Sequence, residues 1–182
     1  MSSTPITMPA WITSAKRLDA DPVSGFVPEA LVVSDIHDIA APASIVWEIL
    51  TDFGNYSDWN PFCVRADAKL EMGSPVVMKL VTPIAPGVLV PNCEYICAIE
   101  TERMISWELP FHEAWPYPAR RDQIIEPTGP ESCRYVSTDA FLGRHGIHVM
   151  NFCGGWVKQA FDNTGRALKA RAEALYTQRR KA

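Results

Sequence analysis

Three groups of residues in this 182-residue chain have the side-chain types and spacing for proton-transfer chemistry. In the β-rich stretch 31–39 (LVVSDIHDI), Asp35, His37 and Ile39 alternate and so share one face of a regular strand. If that face is inward, His37 and Asp35 form a candidate acid/base pair, because imidazole titrates near neutral pH. They stand ~7 Å apart along the strand, so direct pairing is not guaranteed. Residues 92–109 contain no Gly or Pro and read as two strands hinged near Glu102-Arg103. A two-residue turn there sets Trp107 opposite Ala98 and puts Glu94, Ile96, Trp107 and Leu109 on one face. On a cavity wall Glu94 is desolvated, which raises its pKa and suits it to general acid work. Arg120, Arg121 and Asp122 open a further strand in which one arginine must point inward. Arg121 is preferred because it shares parity with Gln123 and Ile125, and an inward Arg can hold a carboxylate, phenolate or enolate oxygen. The competing readings are structural: His37 bonded to backbone or on a solvated strand face, Glu94 exposed at a strand end.

Other chemistries find less support. His145-Gly146-Ile147-His148 has an H-x-x-H spacing, but Gly146 and the lack of a neighbouring carboxylate argue against a metal site. A mobile lid is the expected role, with Gly143, Gly146, Gly154 and Gly155 as joints. The chain has no G-x-S-x-G, P-loop or dinucleotide fingerprint, so hydrolase and nucleotide readings fail and no cofactor or metal is expected.

The elements that must position these residues are punctuated by proline. Residues 1–28, with Pro5, Pro9, Pro22 and Pro28, read as an extended arm that Trp11, Ile12 and Phe26 pin to the body. Residues 29–182 then form one domain. Pro42 starts a helix whose apolar stripe is Val46, Ile49, Leu50 and Phe53, and Gly54 ends it. Tyr56 to Asn60 makes a short turn of helix halted by Pro61. Val64, Ala66, Ala68 and Leu70 alternate with polar residues as a half-buried strand. Residues 76–81 form the next strand, and a loop with Pro83, Pro86, Gly87 and Pro91 follows. After the hinged pair at 92–109, strands near 120–126 and 133–142 flank the turn at 127–130. From Gly155, the spacing of Val157, Phe161, Thr164, Leu168, Ala172 and Leu175 predicts an amphipathic helix of more than twenty residues. Antiparallel strands in series with helices segregated in sequence predict an α+β fold. A curved sheet of about seven strands grips the last helix and leaves a cavity between the two layers. Met78, Trp107 and Phe161 are expected beside Asp35 as ligand-binding residues on its wall.

Composition bounds the partners. The chain is 47% hydrophobic and 21% charged, enough for one sizeable core. No stretch approaches the ~20 apolar residues of a membrane span, and the proline-broken N-terminus lacks the apolar run of a secretory signal. Residues 156–182 hold seven Lys/Arg against two Asp/Glu, but these are spread along a helix and suit its C-terminal dipole rather than nucleic acid. The five cysteines (63, 93, 97, 133 and 153) include no C-x-x-C, and Cys93 and Cys97 lie ~13 Å apart in a strand. Free thiols in a reducing compartment, the cytoplasm, are the expectation.

One stretch carries a resemblance. Ile39-Ala40-Ala41-Pro42, Val46-Trp47 and Thr51-Asp52-Phe53-Gly54-Asn55-Tyr56-Ser57-Asp58-Trp59-Asn60-Pro61 are similar to the signature of the START-like (SRPBCC) superfamily, in its polyketide cyclase/dehydrase branch. The similarity continues through Gly73, Trp107 and Phe141-x-Gly143 to Ala167-Leu168-Lys169-Ala170-Arg171, covering about residues 31–178. It implies a helix-grip fold with an apolar cavity, and it implies that family anchor Ile39 points inward. The matching residues are structural, and members of the superfamily include aromatase/cyclases, condensing proteins and lipid carriers, so the fold alone does not fix the activity. The implied partner is a hydrophobic, aromatic or polycyclic small molecule. Two functions follow: a cofactor-independent cyclisation or dehydration of lyase or isomerase type, using His37, Glu94 and Arg121, or non-catalytic carriage or sensing of an apolar ligand. The arm departs from the family pattern and is expected to cover either the cavity mouth or an oligomer surface, such as that of a homodimer.

Overall fold

The computed structural model describes residues 5–82, 85 and 87–181; the loop prolines Pro83 and Pro86 lie outside them. Among the described residues, eight strands form one antiparallel sheet: β1 (Leu31–Val33), β2 (His37–Ile39), β3 (Cys63–Asp67), β4 (Pro75–Val81), β5 (Leu89–Glu100), β6 (Met104–Leu109), β7 (Ala119–Gly129) and β8 (Ser132–Phe141). Their order is β1-β8-β7-β6-β5-β4-β3, with β2 also on β8. Helix α1 (Ala10–Ser14) belongs to the arm, α2 (Ala43–Thr51) follows β2, and α3 (Gly146–Val149) leads through a π-helical turn, Met150–Gly154, into α4 (Gly155–Arg179). The curved sheet wraps α4, and the fold is α+β, as the order of elements predicts, in the helix-grip arrangement that the resemblance implies.

The apolar stripe of α4 works as its spacing implies. Val157, Phe161, Thr164, Leu168 and Ala172 are all buried against the sheet. Pro42 stands at the N-cap of α2, whose Val46, Ile49 and Leu50 join Ile39, Ile125, Tyr135 and Leu168 in one core cluster. A second cluster gathers Phe53, Val76, Met78, Ile96, Ile105 and Trp107. Both fill the concave side of the sheet.

Several elements depart from regular alternation, each for a local reason. The stretch 31–39 is two strands, because the register with β8 slips by one residue between the pairs Val33↔Thr138 and His37↔Tyr135. The expected strand through Leu70 ends at Asp67 after a bulge, leaving Leu70 exposed. The β5–β6 turn spans three residues, with Glu102 in the left-handed region at φ 59°. Trp107 therefore lies opposite Ile96, not Ala98, the register shifting again at Cys97. Pairing of β7 with β8 continues past Pro127 to Gly129, so the hairpin turn is tighter than the four residues expected. The segment 146–154 is helical and continuous with α4, not a loop hung on glycine joints.

The arm neither caps the concave side nor stands free. Ile6 is buried with Met104, Ile124 and Val136, outward-facing residues of β6, β7 and β8, and Met8 packs beside them. The Trp11 indole donates to Asp122 (3.0 Å), a fully buried carboxylate that also accepts from Ser106 (2.6 Å) and Thr138 (3.1 Å). The Arg120 guanidinium lies over the Trp11 ring at 4.6 Å. At the other end of the arm, Gly143 (φ 68°) donates its N–H to Gly25 at 2.8 Å, with the Val23 carbonyl where a Cβ would stand. The arm thus packs on the convex face of its own sheet, over β6, β7 and β8.

Candidate functional site

Arg121 is the pivot of the concave face. Strand parity turns it inward, and the register sets it between Trp107 on β6 and Asp139 on β8. One guanidinium nitrogen, Nη2, donates to Asp139 Oδ2 at 3.1 Å. The guanidinium carbon lies 4.9 Å from the Phe161 ring centre and 5.2 Å from that of Phe62. A second carboxyl, Glu94, is buried on the same face and accepts from Asn92 at 2.6 Å. Two carboxyls and one guanidinium are therefore buried together.

Burial dominates their electrostatics. It pushes Glu94 up to about 7 and Asp139 upward as well, against the opposing pull of Arg121. Burial alone depresses the Arg121 pKa, but Glu94 and Asp139 outweigh it and hold the guanidinium above its usual value. Ionised clusters out of water cost stability, so packing alone does not account for their presence.

In place of the expected deep cavity there is a small niche of about 20 Å³. Its wall includes Asn60, Phe62, Trp107, Arg121, Gln123 and Phe161. The Arg121 side chain stands against the Phe62 and Phe161 rings on that wall. Trp107 Nε1 and Arg121 Nε, both on this wall, have no hydrogen-bond partner among the described residues. Asn60 is spoken for: its side-chain oxygen accepts the backbone N–H groups of Phe62 (3.0 Å) and Cys63 (2.9 Å) and fixes the entry to β3. The W-N-P motif is thus a structural device.

The residues singled out by sequence do not all converge. Arg121, Trp107 and Phe161 line the niche, whereas Glu94 lies off its wall and acts on Arg121 through charge. Met78 is core, packed in the Trp107 cluster and absent from the wall. His37 sits apart, opposite Tyr135 on β8 with ring centres 6.5 Å apart. Burial lowers its pKa against the pull of Asp162 and Asp35, and its Nε2 is unpartnered among the described residues. Its link to the niche is indirect: Tyr135 donates to Gln123, a wall residue. Asp35 does not share the His37 face, because the one-residue slip turns it to solvent, where it pairs with Lys158 at 2.8 Å. Among the described residues there is no cluster of three or more His, Cys, Asp or Glu side chains placed to hold a metal.

The His37 ring packs against the backbone of α4 at Gly165, where a Cβ would overlap it. Gly165→Ala is expected to expel the ring and destabilise the protein by about 1–2 kcal/mol net, overpacking exceeding the helix-propensity gain of alanine. Chemical denaturation measures this; a variant as stable as the parent with an unshifted His37 resonance contradicts the packing described.

Asp139 and Phe62 escaped the sequence reading. Asp139 was detectable in principle, since Phe141 and Gly143 anchor β8 and alternation points Asp139 the same way as Phe141. Its pairing with Arg121 depends on the β7–β8 register, which the bulge near Thr128 sets.

The comparisons agree with this architecture. Residues 30–173 match the family model described as polyketide cyclase/dehydrase and lipid transport. The ZhuI aromatase/cyclase of Streptomyces sp. R1128 superposes with a TM-score of 0.60 at 18% identity, over 79% of this chain and 93% of that one. A START superfamily protein from Mycobacterium smegmatis gives 0.59 at 19% identity, over 80% and 98%. The protein TTHA0849 from Thermus thermophilus gives 0.61 at 15%, over 80% and 98%. At these identities the likeness is one of fold. No curated protein sequence matches. The arm before residue 30 lies outside the family match, and the remainder carries both the signature and the helix-grip sheet: the chain belongs to the polyketide cyclase/dehydrase and lipid transport family of the START-like superfamily.

Proposed function

We propose that the protein binds a hydrophobic, aromatic or polycyclic small molecule on the concave face and drives a cofactor-independent cyclisation or dehydration. The observation that carries this reading is the Glu94–Arg121–Asp139 cluster, a costly arrangement with one carboxyl poised to exchange a proton near neutral pH. Arg121 presents a fixed positive charge to the niche and stabilises an enolate oxygen. Glu94, behind it, takes the α-proton once the ligand widens the niche, then returns a proton to the departing hydroxyl, which leaves as water while the C=C bond forms. His37 lies off the niche wall, and its link to the niche runs through Tyr135 and Gln123.

A β-hydroxy aryl ketone, followed by ultraviolet absorbance as it dehydrates to the conjugated enone, tests the reading. The protein is expected to accelerate the loss of water, and Glu94→Gln is expected to lose about 100-fold or more of that acceleration. Unchanged turnover in the variant removes Glu94 from the proton transfer.

The second reading, a carrier or sensor of an apolar ligand, has its own support. Among the described residues, Arg121 is the one formally charged side chain on the niche wall. Tight binding of the ketone without turnover favours it.

A further inference from the structure

Two buried hydrogen-bond donors belong to residues that line one small space. Trp107 is 2% exposed and Arg121 is 7% exposed, they are directly opposed across β6 and β7, and both line the 20 Å³ niche. Trp107 Nε1 and Arg121 Nε lack an acceptor among the described residues. Buried donors of this kind are rare in native proteins, because each unmade bond costs ~1–3 kcal/mol. A niche of this size holds a single oxygen-sized group, since about 10–15 Å³ of such volume accommodates a water.

The niche has a neighbour. A groove of about 220 Å³ runs along α4 outside it, lined by Pro61, Val81, Trp156 and Asn163, and Phe62 belongs to both spaces. The Phe62 ring is held edge-on to Trp156 (5.5 Å), tilted against Phe161 (5.9 Å) and beneath the Arg121 guanidinium (5.2 Å). It is the partition between the oxygen-sized niche and an outer groove whose walls are Pro61, Val81, Trp156 and Ala160, with the Gln159 and Asn163 amides beside them. A cavity of ~150 Å³ takes up benzene, so the outer space suits one or two fused rings.

We infer that the niche and groove together form a site for a neutral aryl ketone of one or two rings, its carbonyl oxygen accepting from Trp107 Nε1–H and Arg121 Nε–H and its rings displacing Phe62. The charge already present selects a neutral oxygen over a carboxylate: Glu94 and Asp139 both act on Arg121, and a ligand carboxylate adds a third acid to one guanidinium. The inference rests on the concave-face reading above and gives it a ligand class and an orientation.

Binding of 1-tetralone, tetralin and 1-naphthoate to the full chain, with the Trp107 indole N–H resonance followed in the same titrations, tests it. 1-Tetralone is expected to bind at least tenfold more tightly than tetralin, which lacks the oxygen, and 1-naphthoate no better than tetralin. The Trp107 N–H is expected to move downfield with the ketone and not with the hydrocarbon. In Trp107→Phe the preference for the ketone falls several-fold while tetralin binding is retained. Equal binding of ketone and hydrocarbon, a preferred naphthoate, or an unmoved N–H overturns the donor pair and leaves the apolar site intact. If no probe binds, the concave-face reading fails together with the inference. The resonance is read in the unmodified protein, so the test stands even if the variant folds poorly.

Discussion

Arg121→Met destabilises the protein by about 3–5 kcal/mol above neutral pH, the cost of removing one partner from a buried charge cluster. For a chain of this size that corresponds to a fall in Tm of roughly 6–20 °C. Methionine fills much of the volume between Phe62 and Phe161, so the loss is chiefly electrostatic. It leaves Asp139 without its 3.1 Å partner and Glu94 without the charge that opposes its desolvation. Both carboxyl pKa values, already raised in the folded protein, rise further. A carboxyl with a raised folded-state pKa contributes stability that is present below its unfolded value and lost as pH rises through its folded value. The deficit of the variant is therefore smallest below the unfolded-state values of both groups, 3.8 for Asp139 and 4.5 for Glu94, and largest above pH 7. Thermal denaturation of parent and variant at about pH 3.5 and pH 8 measures it. A deficit independent of pH contradicts the cluster and leaves only a packing role for Arg121.

The second large effect belongs to Glu94. Its folded-state pKa of about 7 against an ordinary 4.5 makes the protein lose about 3 kcal/mol as pH rises across that interval, at ~1.4 kcal/mol per pH unit. Glu94→Gln keeps the shape, stays neutral and abolishes that slope. The variant is thus expected to gain about 3 kcal/mol on the parent between pH 4.5 and pH 8, whatever constant offset arises from altered contact with Asn92. Urea unfolding at closely spaced pH values reports the difference. Parallel profiles for the two proteins mean that Glu94 does not carry a raised pKa in the fold, and the proton-transfer role proposed for it falls. A variant more stable and less active at pH 8 is the expected pairing, because a desolvated carboxylate costs stability to keep.

How far the sequence reached depended on distance along the chain. Pro42, the stripe on α2 and the 157–175 periodicity of α4 are local patterns, and each produced a helix where expected, although α2 stops at Thr51 and Phe53 and Gly54 belong to a following 3-10 segment, Phe53–Asp58. So did the inward parity of Arg121 with Gln123 and Ile125 on an uninterrupted stretch of β7. Glu94, Ile96 and Trp107 share a face as expected, but by a different route. The three-residue turn and the shift at Cys97 each displace the register by one, which restores that face and sends Ala98 to the convex side.

Alternation is a reliable guide only until a bulge, and the sequence does not mark where a bulge falls, because the partner strand decides it. One extra residue before His37 is enough to place Asp35 in water and separate it from His37's face. The sequence by itself determined the α+β architecture, the long gripping helix and one inward arginine, since period and capping are properties of neighbouring residues. Only the tertiary structure decided that Asp139 pairs with Arg121, that the arm turns to the convex face, and that a small niche stands in place of the expected cavity. Its wall joins Phe62, Arg121 and Phe161, three side chains from three elements far apart in sequence, and their fit is a matter of volume and register that no single stretch of chain encodes.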